Sequence, residues 1–600
     1  MYKNSFGKFQ LTMKHLVMTI GLFLTISPAF SQEMLALLKK YDATDQPGEH
    51  PTSLLDLEKF TNDFFKEQMK KHHVPGAVVL IVKGDQIVFK KGYGVTNIEN
   101  PKPVDPDETL LKVGSITKLF TTAAILQLAE KGLLNLDDDV NLYLKQFKIR
   151  NPFPDPVTIK RLLTHTAGFD HKHIGLYTKT KEQLQPLGDY LKEHMPRLVS
   201  NPGEFVSYSN YGISLAGFLI EEITKTPYDL YIKKNILEPL AMSHTGFIHE
   251  INEQSNRATG YRFTPNGFKA IPNEFFNLIP SGALMSTASD MAQFMIAHLQ
   301  NGRLGDTYIL NPETVAEMHR TQFRVHPKMS GWCYGFYESF YGTKRAIMHS
   351  GHPKGFSNLL FLLKEENLGL FIAYNSNDAT LYRHYIKQLL NRYFPMTKEP
   401  VFHQPADDFK QRAHRFTGTY QFHSTPQRTI SKLRDLLERK SEVTVTDNFD
   451  GTLAVHMPKK TFRIVEIEPL LFQDQKEKKI FAFKADDSGN ITHLFVNGEK
   501  PQTLEKLQWW EKFGFQLNLI RGFFLFFSGS LLLLMLYYSD TEKSLNRLVS
   551  LSGLNCFLNI VFLFGVNSAY SSLELRYGIP VVMVALLCIP LLSSLLSLSL

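Results

Sequence analysis

Gly114-Ser115-Ile116-Thr117-Lys118 leads into an apolar run from Leu119 to Ala129, which predicts a helix with a serine and a lysine at its start. If Ser115 opens that helix, Lys118 returns to the same face three residues later, within hydrogen-bond reach of the hydroxyl. A serine becomes a nucleophile only beside a base, and a helix N-terminus offers N–H groups to a developing oxyanion. The pattern is short, and Ser5 to Lys8 repeats it by chance, so alone it is a weak indication of catalysis.

Length and composition indicate a multidomain globular protein. The 600 residues exceed one compact domain, and a hydrophobic content of 43% is enough for a sizeable core. The formal net charge of +8 is modest for this length, and no dense basic stripe with interleaved aromatic residues occurs. The composition therefore argues against nucleic acid as a partner.

Residues 55–398 have the pattern of one α+β domain, preceded by a linker over residues 32–54. Strand patterns occur near both ends of this domain with helical patterns between them, which predicts one sheet closed by distant segments. The predicted strands are Gly76 to Lys83, Gln86 to Lys91, Ala346 to Met348, Asn358 to Leu363 and Gly369 to Tyr374. The predicted helices include Glu58 to His72, Ile159 to His165, Ser214 to Thr224 and Tyr382 to Tyr393.

Residues 399–507 have a different pattern, in which short β-rich runs alternate with turn residues such as Asp450-Gly451 and Ser488-Gly489. This pattern predicts a small antiparallel barrel. No triad or ligand cluster lies within it, so it could serve as a spacer, a lid or a substrate-contact surface.

Both ends of the chain indicate export and membrane attachment. Lysines precede the apolar run from Leu16 to Ile26, and Ala29-Phe30-Ser31 suits signal peptidase, so residues 1–31 are predicted to be a signal peptide. An uncleaved signal anchor is the alternative, and it would leave the body on the same outer side. Within residues 515–600, three apolar stretches approach the ~20 residues that span a bilayer. They are roughly Gly522 to Tyr538, Leu551 to Ala569 and Ile579 to Leu600.

We therefore expect a protein of the cell membrane, with the lipid bilayer as a partner. Its soluble body is expected on the extracytoplasmic side, which is periplasmic or extracellular.

Two further motifs could supply partners for Ser115. Tyr208-Ser209-Asn210 is predicted on a turn before a helix, where a tyrosine by itself is more often a packed core ring. His349-Ser350-Gly351-His352 ends a short apolar strand, and Gly351 would let a substrate approach the backbone closely.

In this order and at these separations, the three motifs resemble those of the serine β-lactamase-like superfamily. The likeness is to its branch of class C β-lactamases, D-alanyl-D-alanine carboxypeptidases and esterases, and it covers about residues 55 to 395. Three further segments resemble structural signatures of that superfamily: Leu162 to Phe169, Pro202-Gly203-Glu204 and Ser281 to Asp290. The resemblance implies a β-lactamase/transpeptidase-like antiparallel sheet with helices on both faces.

The resemblance also implies a role for each matching residue. Ser115 would be the acylated nucleophile, and Lys118 the amine that assists its deprotonation. Tyr208 would pass protons to the leaving group and activate the deacylating water, while Asn210 would orient the bound amide or ester. A tyrosine acts as a base only where a nearby ammonium stabilises its phenolate, and Lys118 is the expected source of that charge.

The third motif departs from the superfamily pattern. The backbone N–H groups of Ser115 and His352 would form the oxyanion hole beside Gly351, but His349 stands where lactamases and transpeptidases have the lysine of Lys-Thr-Gly. A histidine is shorter and only partly charged near neutrality, which favours peptidase or esterase chemistry over antibiotic hydrolysis. His349 could bind a substrate carboxylate as an imidazolium or merely complete a hydrogen-bond network.

Metal and cofactor chemistry are not expected. His171-Lys172-His173 and His72-His73 lack a matching carboxylate or thiolate spacing, and serine chemistry needs neither metal nor cofactor. His165 is expected to be a structural residue of its loop.

Two functions from different classes are open. The first is a membrane-anchored extracytoplasmic serine hydrolase that forms an acyl-enzyme on amide or ester bonds of a small molecule or peptide. D-amino-acid peptides, including those derived from cell walls, and carboxylic esters are favoured over β-lactams. The second is a non-catalytic binder or sensor of a cell-wall peptide with the same fold.

Overall fold

The computed structural model describes residues 54–252, 255–395, 403–429, 431–432, 442–537, 543–571, 573–579 and 581–599. The predicted signal peptide over 1–31 and the predicted linker over 32–54, apart from Leu54, lie outside these ranges.

An antiparallel sheet of six strands forms the centre of the first domain. The strands are β1 (Gly76–Lys83), β2 (Gln86–Gly94), β3 (Tyr337–Tyr341), β4 (Lys344–Gly351), β5 (Ser357–Leu363) and β6 (Leu368–Tyr374). Their order across the sheet is β3-β4-β5-β6-β1-β2, so strands from the two ends of the domain meet where β1 pairs with β6. The sheet closed by distant segments is thus confirmed, and β3 is a strand that the sequence pattern missed.

Helices cover both faces of this sheet. The long helices are α1 (Leu54–Lys71), α2 (Thr117–Glu130), α3 (Asn210–Thr224), α4 (Ala288–Leu299) and α5 (Thr380–Tyr393). Shorter helices are Ile159–Leu163, Leu187–Glu193, Tyr228–Ile232 and Pro312–His319.

Strand β1 is apolar throughout because it lies between two hydrophobic cores. Val78, Leu80 and Val82 pack into the core that contains α2, α3 and α4. The alternate residues Ala77, Val79 and Ile81 pack into the core that contains α1 and α5. Side chains of a strand alternate between faces, so a strand covered on both sides loses the polar alternation of an exposed one.

A closed antiparallel barrel of eight strands follows the first domain. Its strands are β7 (Gly418–Phe422), β8 (Glu442–Asp447), β9 (Leu453–Met457), β10 (Lys460–Glu468), β11 (Leu471–Asp474), β12 (Ile480–Ala485), β13 (Ile491–Asn497) and β14 (Pro501–Lys506). Pairing of β7 with β14 closes the barrel, which confirms the predicted barrel architecture. One outer patch of the barrel, formed by Leu471, Ala482 and Phe495, packs against Phe205 and Met329 of the first domain.

Three apolar helices end the described chain: α6 (Phe513–Tyr537), α7 (Lys543–Ser571) and α8 (Val581–Ser599). Segments Phe513–Leu536 and Leu548–Gly565 are long and apolar enough to cross a membrane by length and composition alone. The apolar segment of α8, Met583–Leu595, is shorter, and α8 contains Pro590. Two of the three predicted spans therefore have the expected length, and the third stays a prediction.

Candidate active site

Ser115 lies in a tight turn that leads into helix α2. A 3-10 turn over Gly114–Ile116 precedes the helix, and Gly114 has a φ of 57°, in the left-handed region that favours glycine. A Cβ at Gly114 would lie 2.5 Å from Pro353 Cδ, so this turn also packs closely against the segment after β4. The turn leaves Ser115 partly exposed, while Lys118, three residues later, is fully buried beneath it.

The side-chain nitrogen of Lys118 lies at the centre of the candidate active site. It is 3.0 Å from Ser115 Oγ. It also donates to Asn210 Oδ1 at 2.8 Å and to the backbone carbonyl of Ser281 at 2.6 Å. The Lys118 amine therefore joins the first motif, the second motif and the loop before the short strand Leu284–Ser286.

Burial lowers the pKa of Lys118 well below its ordinary value, and the nearby charge of Lys500 lowers it further. A neutral amine has two N–H groups and one lone pair. The amide oxygen of Asn210 and the carbonyl of Ser281 take the two N–H groups, so the lone pair is left for the Ser115 hydroxyl. In its neutral form Lys118 would therefore direct its lone pair at Ser115 Oγ, the orientation that a base requires.

Tyr208 lies on the other side of the nucleophile. Burial raises the pKa of its phenol far above the ordinary value, while its hydrogen bond with Ser115 acts in the opposite direction. The Lys118 nitrogen is 4.9 Å from the centroid of the tyrosine ring. Both pKa shifts oppose the expected pair of a phenolate and an ammonium, because burial disfavours the charged form of each group.

The turn that carries Tyr208 is fixed by His165 and by a helix cap. His165 is buried at a φ of 58°, its ring centroid is 4.3 Å from that of Tyr208, and its Nδ1 accepts the Ser209 N–H at 3.1 Å. The Ser209 hydroxyl accepts the N–H of Gly212 and caps α3, which places Asn210 at the first residue of that helix. His165 therefore positions Tyr208, in keeping with its expected structural role.

The third motif forms the end of strand β4. A Cβ at Gly351 would lie 1.9 Å from the carbonyl oxygen of Val113, so only glycine lets β4 pass this close to the serine turn. His352 lies beside Ser115 in the same cavity, and its Nε2 is 2.9 Å from the Tyr382 hydroxyl. The roles of the Ser115 and His352 N–H groups as an oxyanion hole stay a prediction.

His349 lines neither of the two cavities beside Ser115 and Tyr208. Its ring is buried, and its Nδ1 is 2.7 Å from the carbonyl of Ser350. Burial and the nearby Lys118 lower the pKa of His349 well below its ordinary value. Its Nε2 is buried and has no hydrogen-bond partner within the described residues. The structure therefore disfavours an imidazolium that binds a substrate carboxylate, and the one hydrogen bond of the ring is a local contact with the backbone.

Two cavities flank the nucleophile, and Asn210 lines both. The first, of about 120 Å³, is lined by Ser115, His352, Lys112, Tyr177, Glu274 and Lys354, among others. The second, of about 300 Å³, is lined by Tyr208, His171, Lys172, His194 and Lys500, among others. Four of the seven predicted site residues therefore line a cavity: Ser115, Asn210, His352 and Tyr208. The other three, Lys118, Gly351 and His349, line neither cavity.

Sequence reasoning missed two residues of this site. Ser281 lies in a segment that resembles a superfamily signature, but the resemblance gave its carbonyl no role. Lys500 lies in the β13–β14 turn of the barrel, where Asn-Gly-Glu-Lys has the composition of an ordinary surface turn. No local signal could have placed it beside Tyr208.

One group among the described residues could hold a metal ion. The ligand atoms of Asp229, His249 and Glu250 lie within 4.8 Å of one another. Asp229 is already hydrogen-bonded to His249 at 3.1 Å, and none of the three lines either cavity described above. These three residues are therefore not part of the candidate site around Ser115.

Comparison with known proteins defines the class of this site. Residues 61–391 match the family described as Beta-lactamase. The match spans more than half of the chain, so the protein belongs to the beta-lactamase family, within the serine β-lactamase-like superfamily that its three motifs resemble.

Protein flp and two solved structures are similar to this chain at modest identity. Protein flp of Staphylococcus aureus (strain N315) is 28% identical over 368 residues, which cover 59% of this chain and 71% of that protein. The octameric penicillin-binding protein homologue from Pyrococcus abyssi has a TM-score of 0.51 at 24% identity, over 75% of this chain and 100% of that one. The structure of SurE has a TM-score of 0.53 at 20% identity, over 75% and 99%. Both structural matches cover a larger share of the chain than residues 61–391, so the likeness of fold extends beyond the family match.

Proposed function

We propose that this protein is a membrane-anchored extracytoplasmic serine hydrolase that cleaves amide or ester bonds through an acyl-enzyme on Ser115. The observation that carries the proposal is the environment of Lys118, whose two fixed acceptors leave its lone pair for the Ser115 hydroxyl. Packing alone would not require a buried amine in this orientation.

The reaction follows from the positions of three side chains. Ser115 Oγ bonds to the substrate carbonyl carbon while its proton passes to Lys118 Nζ. Collapse of the tetrahedral intermediate breaks the bond to the leaving group, which takes a proton from the Tyr208 hydroxyl, and Lys118 returns a proton to Tyr208. A water then attacks the acyl carbonyl, and its proton passes through Tyr208 to Lys118. When the bond between the acyl carbon and Ser115 Oγ breaks, Lys118 returns that proton to Ser115 Oγ, and the acid product leaves.

The site supports a D-amino-acid peptide or a carboxylic ester as the substrate more than a β-lactam. His349 replaces the lysine that lactamases and transpeptidases use at the third motif, and its buried ring offers no charge to a carboxylate in the cavity. Substrates bound in the manner of β-lactams would therefore lack that contact.

Contacts of the C-terminal helices support the proposed membrane location. The short helix Leu573–Tyr577 between α7 and α8 lies against the catalytic domain. Buried Glu274 accepts from Tyr577 at 2.5 Å and pairs with Arg576 at 2.5 Å and Lys354 at 3.2 Å. Since α6 also begins next to the barrel, α6 and α7 form a hairpin whose two open ends lie on the side of the soluble body.

Labelling by an acylating probe tests the proposed chemistry. We expect a fluorescent phosphonate or penicillin to add one probe mass per chain in intact mass spectrometry, and the addition to vanish in Ser115→Ala. Ser289→Ala is the matched control, because Ser289 bonds Asp107 and lines neither cavity. Absence of labelling by any probe would favour the non-catalytic binder.

The location needs a separate test. Protease added to intact spheroplasts should remove the soluble body, and protection of the body would contradict the extracytoplasmic location.

A further inference from the structure

The barrel contributes a side chain to the catalytic centre. Lys500 lies in the turn between β13 and β14, and its ammonium nitrogen is 3.3 Å from the centroid of the Tyr208 ring. A lysine this close to an aromatic face gains from the ring quadrupole. The barrel is therefore part of the wall of the active site.

Specific contacts fix this turn on the catalytic domain. Glu499 Oε1 accepts from the Tyr382 hydroxyl at 2.9 Å and from the Tyr337 hydroxyl at 3.3 Å, and Glu499 also pairs with Arg383. On the other side of Lys500, the indole of Trp332 donates to the Pro501 carbonyl at 3.4 Å. Lys500 is therefore held at Tyr208 by residues on both sides of it in the turn.

The second cavity contains positive charge without a matching acceptor. Lys172 and Lys500 both line it, and neither has a hydrogen-bond acceptor or ion-pair partner within the described part of the chain. Asp170 also lines the cavity, but its carboxylate accepts the backbone N–H groups of His171, Gln427 and Arg428. The two ammonium groups are thus the charges left for a ligand.

Two of the three histidines that line this cavity, His171 and His194, have pKa values below the ordinary one. Burial lowers the pKa of His171 to about 3 and also lowers that of His194. Burial lowers the pKa of Lys500 to about 7, which expresses the cost of an ammonium held away from water without a counter-charge. An anion in the cavity would remove that cost.

We propose that this cavity is a subsite for a carboxylate carried by the substrate, with Lys500 as its main ligand and Lys172 as the second. The inference rests on the proposed function, since the carboxylate belongs to the molecule that acylates Ser115. Hydrogen bonds between ammonium and carboxylate are among the stronger ones in proteins, and the cavity begins at Tyr208, next to the reacting bond. Lys500 of the barrel thus supplies the contact with a substrate carboxylate that His349 does not offer.

Matched substrates test this subsite in the full-length protein. The acidic substrates are mono-4-nitrophenyl glutarate, with its carboxylate on the acyl side, and 4-acetoxybenzoate, with its carboxylate on the leaving group. Their neutral counterparts are 4-nitrophenyl pentanoate and phenyl acetate. In Lys500→Met we expect the acidic-to-neutral ratio of kcat/KM to fall by about 10- to 100-fold for one acidic substrate, mainly through KM.

Further variants separate a ligand from a packing residue. Lys500→Arg should restore most of the ratio, and Lys172→Met should lower it less than Lys500→Met. Lys484→Met is the control, since Lys484 is a barrel lysine that pairs with Glu204 and lines neither cavity. A ratio that stays the same in Lys500→Met for both acidic substrates would overturn the proposal.

Binding to an inactive variant tests the carboxylate subsite without turnover. In Ser115→Ala, calorimetry should show monomethyl glutarate binding more tightly than dimethyl glutarate, with the difference lost when Lys500→Met is added. Equal binding of the two compounds in Ser115→Ala would refute the subsite even if the enzyme hydrolyses esters. Failure of every neutral ester to react, with tight binding of the monoanion, would instead refute the proposed hydrolase and leave the subsite standing.

Discussion

Two lysines approach Tyr208 from different regions of the molecule. Lys118 comes from helix α2 and has Ser115, Asn210 and Ser281 around its amine. Lys500 comes from the barrel turn, and within the described residues its amine has the Tyr208 ring beside it but no hydrogen-bond acceptor. Burial lowers the pKa of both. An amine whose N–H groups and lone pair all have partners suits proton transfer. An amine whose N–H groups have no acceptor suits ligand binding. The same residue type thus serves two functions within one site.

Replacing Lys118 should give the largest effect. In Lys118→Met we expect kcat/KM to fall by about 10²- to 10⁴-fold for acidic and neutral substrates alike, because the general base is lost. Lys118→Arg should be no better, since a guanidinium is not deprotonated in proteins. Steady-state kinetics on both substrate classes would check this, with Lys90→Met as the surface control.

Near-normal turnover in Lys118→Arg would show that Lys118 acts only as a charge. The distinction between the two lysines would then disappear.

Gly114→Ala should have the next largest effect, because the residue has a positive φ and touches Pro353. We expect a loss of about 1–3 kcal/mol in the free energy of unfolding and a lower kcat. Gly305→Ala is a close control, because Gly305 also has a φ of 57° but nothing lies within 4 Å of its Cβ position. Thermal or denaturant unfolding should show a larger loss for Gly114→Ala, and equal losses would mean that the contact with Pro353 adds nothing.

Glu499→Gln should give the smallest effect and should act only through Lys500. It weakens the ion pair with Arg383, a partly exposed pair whose loss is worth at most about fivefold. We expect a modest fall in the acidic-to-neutral ratio of kcat/KM, with little change for neutral esters. Glu468→Gln is the matched control, because it weakens another ion pair between the barrel and the first domain, that of Glu468 with Lys328. An equal fall in both variants would argue against a specific role for the docked turn.

The sequence predicted those parts of the site that depend on short-range spacing. Ser115 and Lys118 are three residues apart at a helix start, and Gly351 ends a strand that the pattern identified. The central sheet was predictable because β1, β5 and β6 are strongly apolar. Strands β3, β11 and β14 were missed, since sequences such as Pro501–Lys506 carry proline and charged residues.

The remaining features depend on contacts between distant segments. Whether Lys118 is neutral depends on burial and on the Ser281 carbonyl 163 residues away. Whether His349 faces a substrate depends on what covers β4, and the place of Lys500 depends on how the barrel docks. Residue types and spacing contain none of this information, so the resemblance assigned roles but could not assign charge states.

The central claim is that Lys118 acts as a neutral base, and the pH dependence of kcat/KM for a neutral ester tests it most directly. Proton transfer from Ser115 requires the unprotonated amine, so the rate should rise with pH through the pKa of Lys118 and then level off. Burial lowers the pKa of His165 and His349 well below the usual value and that of His352 to about 4. Because burial also lowers the pKa of Lys500 to about 7, the profile is measured in Lys500→Met as well as in the wild type. We predict a plateau reached well below pH 10.5, the ordinary pKa of a lysine. A rate that keeps rising until about that pH, as for an unperturbed lysine, would contradict the account.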